Sequence, residues 1–311
     1  MHNLICIAGP TASGKTALSI ALAKVLNGEI VSCDSMQVYR RMDIGTAKPT
    51  LEEREGIVHH MLDVAEPHED FSVSRYCEMA SPIVDDILAR GKTAIIAGGT
   101  GLYMDSLIKG NDFAPYPATG RREELEALAA RQGIEAVIAQ LREVDPESAA
   151  RLHPSDQKRI IRAMEVYLET GISITEHNRR TQLLPPRYNP VWFALEDTLR
   201  ENLYARIDRR VEIMLDMGLV DEIRGLLAQG IPPKCTAMQA IGYKEFVDAL
   251  QGKTTVAQAA AQVQQSSRRY AKRQLTWLRR NDRMHWIVRR TGQDNEEILA
   301  QARQVICNFD K

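Results

Sequence analysis

The stretch LICIAGPTASGKT, residues 4–16, decides how the rest of the chain is read. Leu4 to Ala8 is an unbroken apolar run stopped by Gly-Pro, too short for a core helix and typical of a buried strand. Gly9, Pro10, Thr11, Ala12, Ser13, Gly14, Lys15 and Thr16 then fit the pattern G-x-x-x-x-G-K-[ST]. Between a strand and a helix such a loop cradles phosphates. Its backbone N–H groups converge on them, the lysine adds a point charge, and the hydroxyl holds Mg²⁺. Lys15 is therefore assigned to phosphate and Thr16 to the metal. Nothing in the eight residues says whose phosphates these are.

Outward from this loop, strands and helices alternate. A helix is expected from Gly14 to Leu26, a strand over Glu29–Cys33, a helix from about Ser74 to Arg90, and a strand over Thr93–Ala97 that runs into GGTGLY. Apolar strands separated by helices indicate an α/β fold with a parallel sheet covered on both faces. Ligands of such sheets gather at the carboxyl ends of the strands, and Gly9, Asp34 and Thr100 each follow a strand directly. From about Pro115 the texture becomes helical, with breaks at Gly133, Pro146 and Pro154. LLPPRYNP (183–190) reads as a linker, and VWFAL (191–195) returns to strand character. The organisation expected is a P-loop core over 1–114, an inserted all-helical domain over 115–187, and over 188–311 a return strand followed by helices alone.

Bulk composition narrows the class. The 311 residues carry a formal net charge of -1, with 44% hydrophobic and 26% charged residues, ordinary for a globular protein. Five scattered cysteines without a C-x-x-C argue for reduced thiols, and seven histidines without ligand spacing argue against a zinc site. No secretory n-region or cleavage site opens the chain, and no apolar run approaches ~18 residues, so a cytoplasmic protein without a membrane partner is expected.

An NTPase would need a carboxylate ending a strand beside the loop, and TAIIAGGTG supplies none. The carboxylate that does end a strand is Asp34, in EIVSCDSMQVYR. Across from a phosphate loop, a lone carboxylate suits proton removal from an incoming nucleophile. Gly98, Gly99 and Gly101 around Thr100 suggest close backbone approach to a ligand, with Thr100 as a hydrogen-bonding group. Arg206 and Arg210, four apart on a helix, offer further cations for a pyrophosphate. Residues 266–290 hold nine Lys/Arg against one acid, Asp282. Arg269, Lys272, Arg273 and Arg280 fall on one helical face with Tyr270 and Trp277 interleaved, a pattern that suits an RNA backbone. DQKRIIR (156–162) is a second, smaller basic patch, and two patches could clamp one nucleic acid.

GPTASGKT, DSMQVYRRMDIGTAKP, AGGTGLY, QKRIIRAMEV, AIGYKE and AKRQLTWLRR together resemble bacterial tRNA dimethylallyltransferases, from Leu4 to about Trp286. The resemblance implies a loop that holds dimethylallyl diphosphate, Mg²⁺ as cofactor, and transfer of the dimethylallyl group to N6 of the adenosine immediately 3′ of the anticodon. It implies Asp34 as general base, with Thr100 and Arg210 in the catalytic set. It implies tRNA contacts at Asp34, Ser35, Met36 and Gln37, at Thr100 and Arg122, and at Lys158, Arg159, Ile160, Ile161 and Arg162. Further contacts are implied at Gln239, Ala240, Ile241, Gly242, Tyr243 and Lys244, and at Lys272, Arg273, Gln274, Leu275, Thr276, Trp277, Leu278 and Arg279. The Cys/His zinc finger of eukaryotic relatives is not present. The partners expected are the tRNA anticodon stem-loop and the diphosphate donor, with the enzyme a monomer. A P-loop small-molecule kinase, an adenylate isopentenyltransferase acting on free AMP, and a non-catalytic P-loop RNA switch stay open as alternatives.

Overall fold

The computed structural model describes residues 3–111 and 119–309. In chain order its elements are β1 (Leu4–Ala8), α1 (Lys15–Val25), β2 (Gly28–Ser32), β3 (His59–His60), α2 (Val73–Ala89), β4 (Thr93–Gly98) and α3 (Gly101–Lys109). Then follow α4 (Arg121–Gln132), α5 (Ile134–Val144), α6 (Pro146–Arg151), α7 (Gln157–Thr170) and α8 (Ile174–Leu183). The chain ends with β5 (Val191–Asp197), α9 (Arg200–Asp216), α10 (Leu219–Ala228), α11 (Lys244–Leu250), α12 (Val256–Leu278), β6 (Met284–Arg289) and α13 (Asn295–Phe309).

Among the described residues six strands form one all-parallel sheet in the order β3-β2-β4-β1-β5-β6. Its central strands are apolar on both faces because helices cover both. On one side Ile5, Ile7 and Phe193 pack with Leu18 and Leu22 of α1 and with Ile298 and Ala302 of α13. Parallel strands share a direction, so the residues following β1, β2 and β4 all emerge on one rim. The expectation that the last third is helical throughout fails at β6. MHWIVR is an edge strand beside β5 whose His285 and Trp286 remain partly exposed, which hides the apolar alternation.

The chain divides into two compact units. One comprises the residues up to Gly110 and from Arg187 onward, the other Asn111 to Pro186. Arg187 belongs with the first because its N–H donates to Lys109 O, and that of Tyr188 donates to Ile108 O. The boundary expected at 114/115 lies outside the described residues. The second unit is all-helical around Leu125, Val137, Leu141, Ile160 and Met164. No helix among the described residues is long and apolar enough to cross a membrane.

Candidate active site

The rim opens on a cavity of about 470 Å³. The phosphate loop and the start of α1 contribute Thr11, Lys15 and Thr16 to its lining, and the segment after β2 contributes Asp34, Ser35, Met36 and Gln37. Arg210 enters from α9, and Tyr270, Arg273 and Gln274 enter from α12. Gln239, Ala240, Ile241, Gly242 and Lys244 also border it.

The loop is braced before any ligand arrives. Ala12 takes φ 61, a left-handed conformation that costs a non-glycine residue on the order of 1 kcal/mol. Arg206 holds it by donating from Nε to Ala12 O at 2.8 Å, while its fork donates to both Asp197 oxygens at 2.9 and 2.5 Å. This corrects two expectations. Arg206 serves the back of the loop, so of the arginine pair only Arg210 lines the cavity. Asp34 is also not alone in ending a rim strand, because β5, directly beside β1, ends in Glu196 and Asp197. Both of these carboxylates are engaged, Asp197 with Arg206 and Glu196 with Arg279.

The cavity concentrates positive charge. The Lys15 ammonium donates to Pro10 O at 2.8 Å, and burial, then the neighbouring Arg210 charge, push its pKa down to about 8 against the opposing pull of Asp34. Burial likewise lowers Arg210, which makes no hydrogen bond or ion pair among the described residues. Two neighbouring buried cations with no ion-pair partner among the described residues, opposed only through space by Asp34 and by Glu53 at Arg210, leave the site short of negative charge, as a diphosphate site should be.

Asp34 is oriented by its own turn. Its Oδ1 accepts the Met36 N–H at 2.8 Å and that of Gln37 at 3.3 Å, which leaves Oδ2 without a partner among the described residues. Thr100 does not line the cavity. Its Oγ1 accepts the Ser35 N–H at 3.0 Å and approaches Ser35 Oγ at 3.3 Å, so it holds the strand-end turn that carries Asp34. Tyr270, which sequence reasoning treated only as part of the basic helix, belongs to the site. Burial and the Asp34 charge push its hydroxyl up to about 12 against a hydrogen bond with Thr100, so it remains a protonated donor.

Gly98 and Gly99 border the cavity, and the glycines around Thr100 are also required by close protein neighbours. A Cβ on Gly99 would lie 2.3 Å from Gln274 Nε2, and one on Gly101 would lie 2.4 Å from the Trp277 ring. The DIGTAKP segment forms another wall. The Glu222 carboxylate accepts the N–H groups of Asp43, Ile44 and Gly45 at 2.9, 2.8 and 3.2 Å and the Tyr243 hydroxyl at 2.6 Å. Buried Lys48 ties Asp43 to Asp63, at 2.5 and 2.6 Å. Gln37 spends its side-chain amide on this wall, donating to Thr46 O and Ala47 O at 3.2 Å.

On α12, Arg269, Lys272 and Arg273 are exposed, whereas Arg280, expected on the same helical face, lies exposed beyond the end of the helix; Arg273 lies over Tyr270 and Arg280 over Trp277. Leu275 and Leu278 are buried, and Trp277 donates to Asp105 at 2.9 Å. In the helical unit Lys158, Arg159 and Arg162 face outward, whereas Ile160 and Ile161 are core residues. Tyr243 is also fully buried. The side chains of Ile160, Ile161, Tyr243, Leu275 and Leu278 are thus spent on packing. Arg122 pairs with Glu126 at 3.2 Å.

An excess of positive charge at a phosphate loop, with the Asp34 carboxylate on the same cavity at the rim of a parallel sheet, defines a P-loop protein built for group transfer. The family model described as IPP transferase matches residues 37–281, and the chain belongs to that family of enzymes. It is 43% identical to the tRNA dimethylallyltransferase of Acetivibrio thermocellus over 99% of both chains, and 48% identical to that of Geobacillus thermodenitrificans over 92% of this chain and 90% of that one. Among solved structures it resembles the tRNA isopentenylpyrophosphate transferase of Bacillus halodurans (TM-score 0.74, 41% identity, covering 99% and 96%). It also resembles a eukaryotic dimethylallyltransferase acting on tRNA (TM-score 0.82, 28% identity, covering 99% and 80%).

Proposed function

We propose that this enzyme transfers the dimethylallyl group of dimethylallyl diphosphate to N6 of the adenosine immediately 3′ of the tRNA anticodon, releasing diphosphate. The observation that carries this reading is the pair of buried cations Lys15 and Arg210, without ion-pair partners among the described residues, on the cavity that Asp34 also lines. The N6 lone pair attacks the allylic carbon as the bond from that carbon to the bridging oxygen breaks. The electron pair leaves with the diphosphate, and the N6 proton passes to Asp34 Oδ2. Lys15, Arg210 and the first-turn amides of α1 neutralise the charge that grows on the departing oxygen. The Thr16 hydroxyl is an oxygen donor on the cavity with no partner among the described residues, and it would hold Mg²⁺ together with water and diphosphate oxygens. When bound, Mg²⁺ adds Lewis-acid neutralisation of the diphosphate.

The acceptor adenosine must leave the anticodon stack to reach the rim, at a cost of a few kcal/mol. The exposed cations of α12 take the RNA backbone, and Lys158, Arg159 and Arg162 of the inserted helical domain offer it a second basic patch. Acting on tRNA, the enzyme works in the cytoplasm and as a monomer. The test is incubation with labelled dimethylallyl diphosphate and Mg²⁺ plus either tRNA or AMP. Label should enter tRNA at the adenosine next to the anticodon. Label in AMP alone, or ATP hydrolysis without transfer, would overturn the reading.

A further inference from the structure

Gln274 sits in the wall of the cavity with only 7% of its surface exposed. Its neighbours on α12 carry the exposed cations, and the family resemblance groups it with them as a tRNA contact. Both ends of its amide, however, are already engaged within the protein. Oε1 accepts the Thr11 N–H of the phosphate loop at 3.0 Å, and Nε2 donates to the Gly99 carbonyl at 2.9 Å. The orientation of the amide is forced, since Thr11 offers only a donor there and Gly99 only an acceptor. One turn further on, Trp277 packs over Gly101, so α12 is seated on the turn after β4 at two successive points.

We infer that Gln274 is a positioning residue for the phosphate loop and not a contact for tRNA. It commits the Thr11 amide to the protein and leaves the first-turn amides of α1 for the phosphates. The reason lies next door. Ala12 is held in a left-handed conformation, which persists only where its surroundings over-determine it. Arg206 grips the Ala12 carbonyl on one side, and Gln274 grips the Thr11 amide on the other. Releasing either hold lets the loop relax away from the shape that receives a diphosphate. The inference rests on the proposed function only in taking the ligand to be a diphosphate.

The test uses the full chain with inorganic pyrophosphate and Mg²⁺ in a calorimeter, and tRNA binding at two salt concentrations. Gln274→Met keeps the length and packing of the side chain but neither hydrogen bond. It should weaken pyrophosphate about tenfold, the value of one to two net hydrogen bonds, while tRNA affinity and its salt slope stay unchanged. Gln274→Glu should be equally weak at pH 8.5, where a carboxylate faces the Gly99 carbonyl. Toward pH 6 it should recover wild-type pyrophosphate affinity, measured against the wild type at each pH, because a protonated carboxyl can both accept from Thr11 and donate to Gly99. A side chain that merely fills space would show no such recovery. In the wild type, deuterium exchange at the Thr11 N–H should be at least tenfold slower than at the Lys15 and Thr16 amides, a measurement that needs no variant to fold. Loss of tRNA affinity with pyrophosphate binding intact would overturn the inference, and so would unprotected exchange at Thr11. Because the probe is pyrophosphate, failure of prenyl transfer to tRNA would leave these outcomes readable.

Discussion

Raising the pH should weaken donor binding, and Lys15 sets how steeply. Burial and Arg210 hold its free-state pKa at about 8 instead of the ordinary 10.5. A bound diphosphate supplies the missing counter-charge and lifts that pKa. Binding then takes up a proton wherever the free enzyme has lost it, so affinity falls as pH rises through the free-state value. If the complex regains the ordinary pKa, linkage gives a loss of about tenfold between pH 7 and 9 and about 70-fold by pH 10. The accompanying proton uptake is about 0.5 at pH 8 and about 0.9 at pH 9. Calorimetry with dimethylallyl diphosphate in buffers of different ionisation enthalpy measures both quantities. Arg210→Gln removes a like charge beside Lys15, so its break should move to higher pH even as overall affinity drops. Affinity that is flat from pH 7 to 9, or proton release on binding, would refute the argument that Lys15 is a desolvated cation awaiting a diphosphate.

Asp34→Asn should lower the single-turnover rate ~10²-fold or more while donor and tRNA affinities stay within about twofold, as loss of a general base requires. Rapid-quench transfer assays read this, and normal turnover would remove Asp34 from the mechanism. The triple change Arg269→Gln, Lys272→Gln, Arg273→Gln should shallow the slope of log K against log salt for tRNA by up to ~1 per charge and leave donor binding alone. An unaltered slope would show that these charges are only a solvated face. Gly45→Ala would set a Cβ 2.4 Å from the Tyr243 ring, itself fixed by Glu222, and should cost about 1–3 kcal/mol of stability. A urea unfolding midpoint equal to wild type would contradict that packing.

What was legible in the sequence was local. The phosphate loop, the strands on either side of it and the amphipathic helices follow from periodicity and turn chemistry within a dozen residues of each other. Asp34 was found because it directly follows a strand. What stayed hidden depends on contacts between distant segments. Asp197 ends a strand as Asp34 does, and only the pairing of β5 with β1 and the fork of Arg206 show that it serves the loop from behind. The glycines at 99 and 101 were legible as a demand for space, yet the groups that fill it, Gln274 and Trp277, lie far along the chain on α12. The same holds for Gly45, whose neighbour is the Tyr243 ring. Burial also separates residues that a motif groups together: Ile160 and Ile161 sit inside a basic run, but a helix turns them into the core.

The way charge is distributed around the loop explains how a phosphate cradle can serve a leaving group without nucleotide chemistry. Behind the loop Arg206 and Asp197 neutralise one another, and Arg206 holds the Ala12 carbonyl and so fixes the loop's shape. The cations in front, Lys15 and Arg210, have no ion-pair partner among the described residues; Asp34 acts on both and Glu53 on Arg210 only through space. A diphosphate ester entering this cavity brings less charge to the bridging oxygen than the free diphosphate has once the allylic carbon departs. Fixed cations that are short of negative charge therefore gain more from the departing group than from the intact donor. That difference is transition-state complementarity, since the interaction strengthens as the bond breaks. The same arrangement that speeds bond cleavage thus makes diphosphate slow to leave.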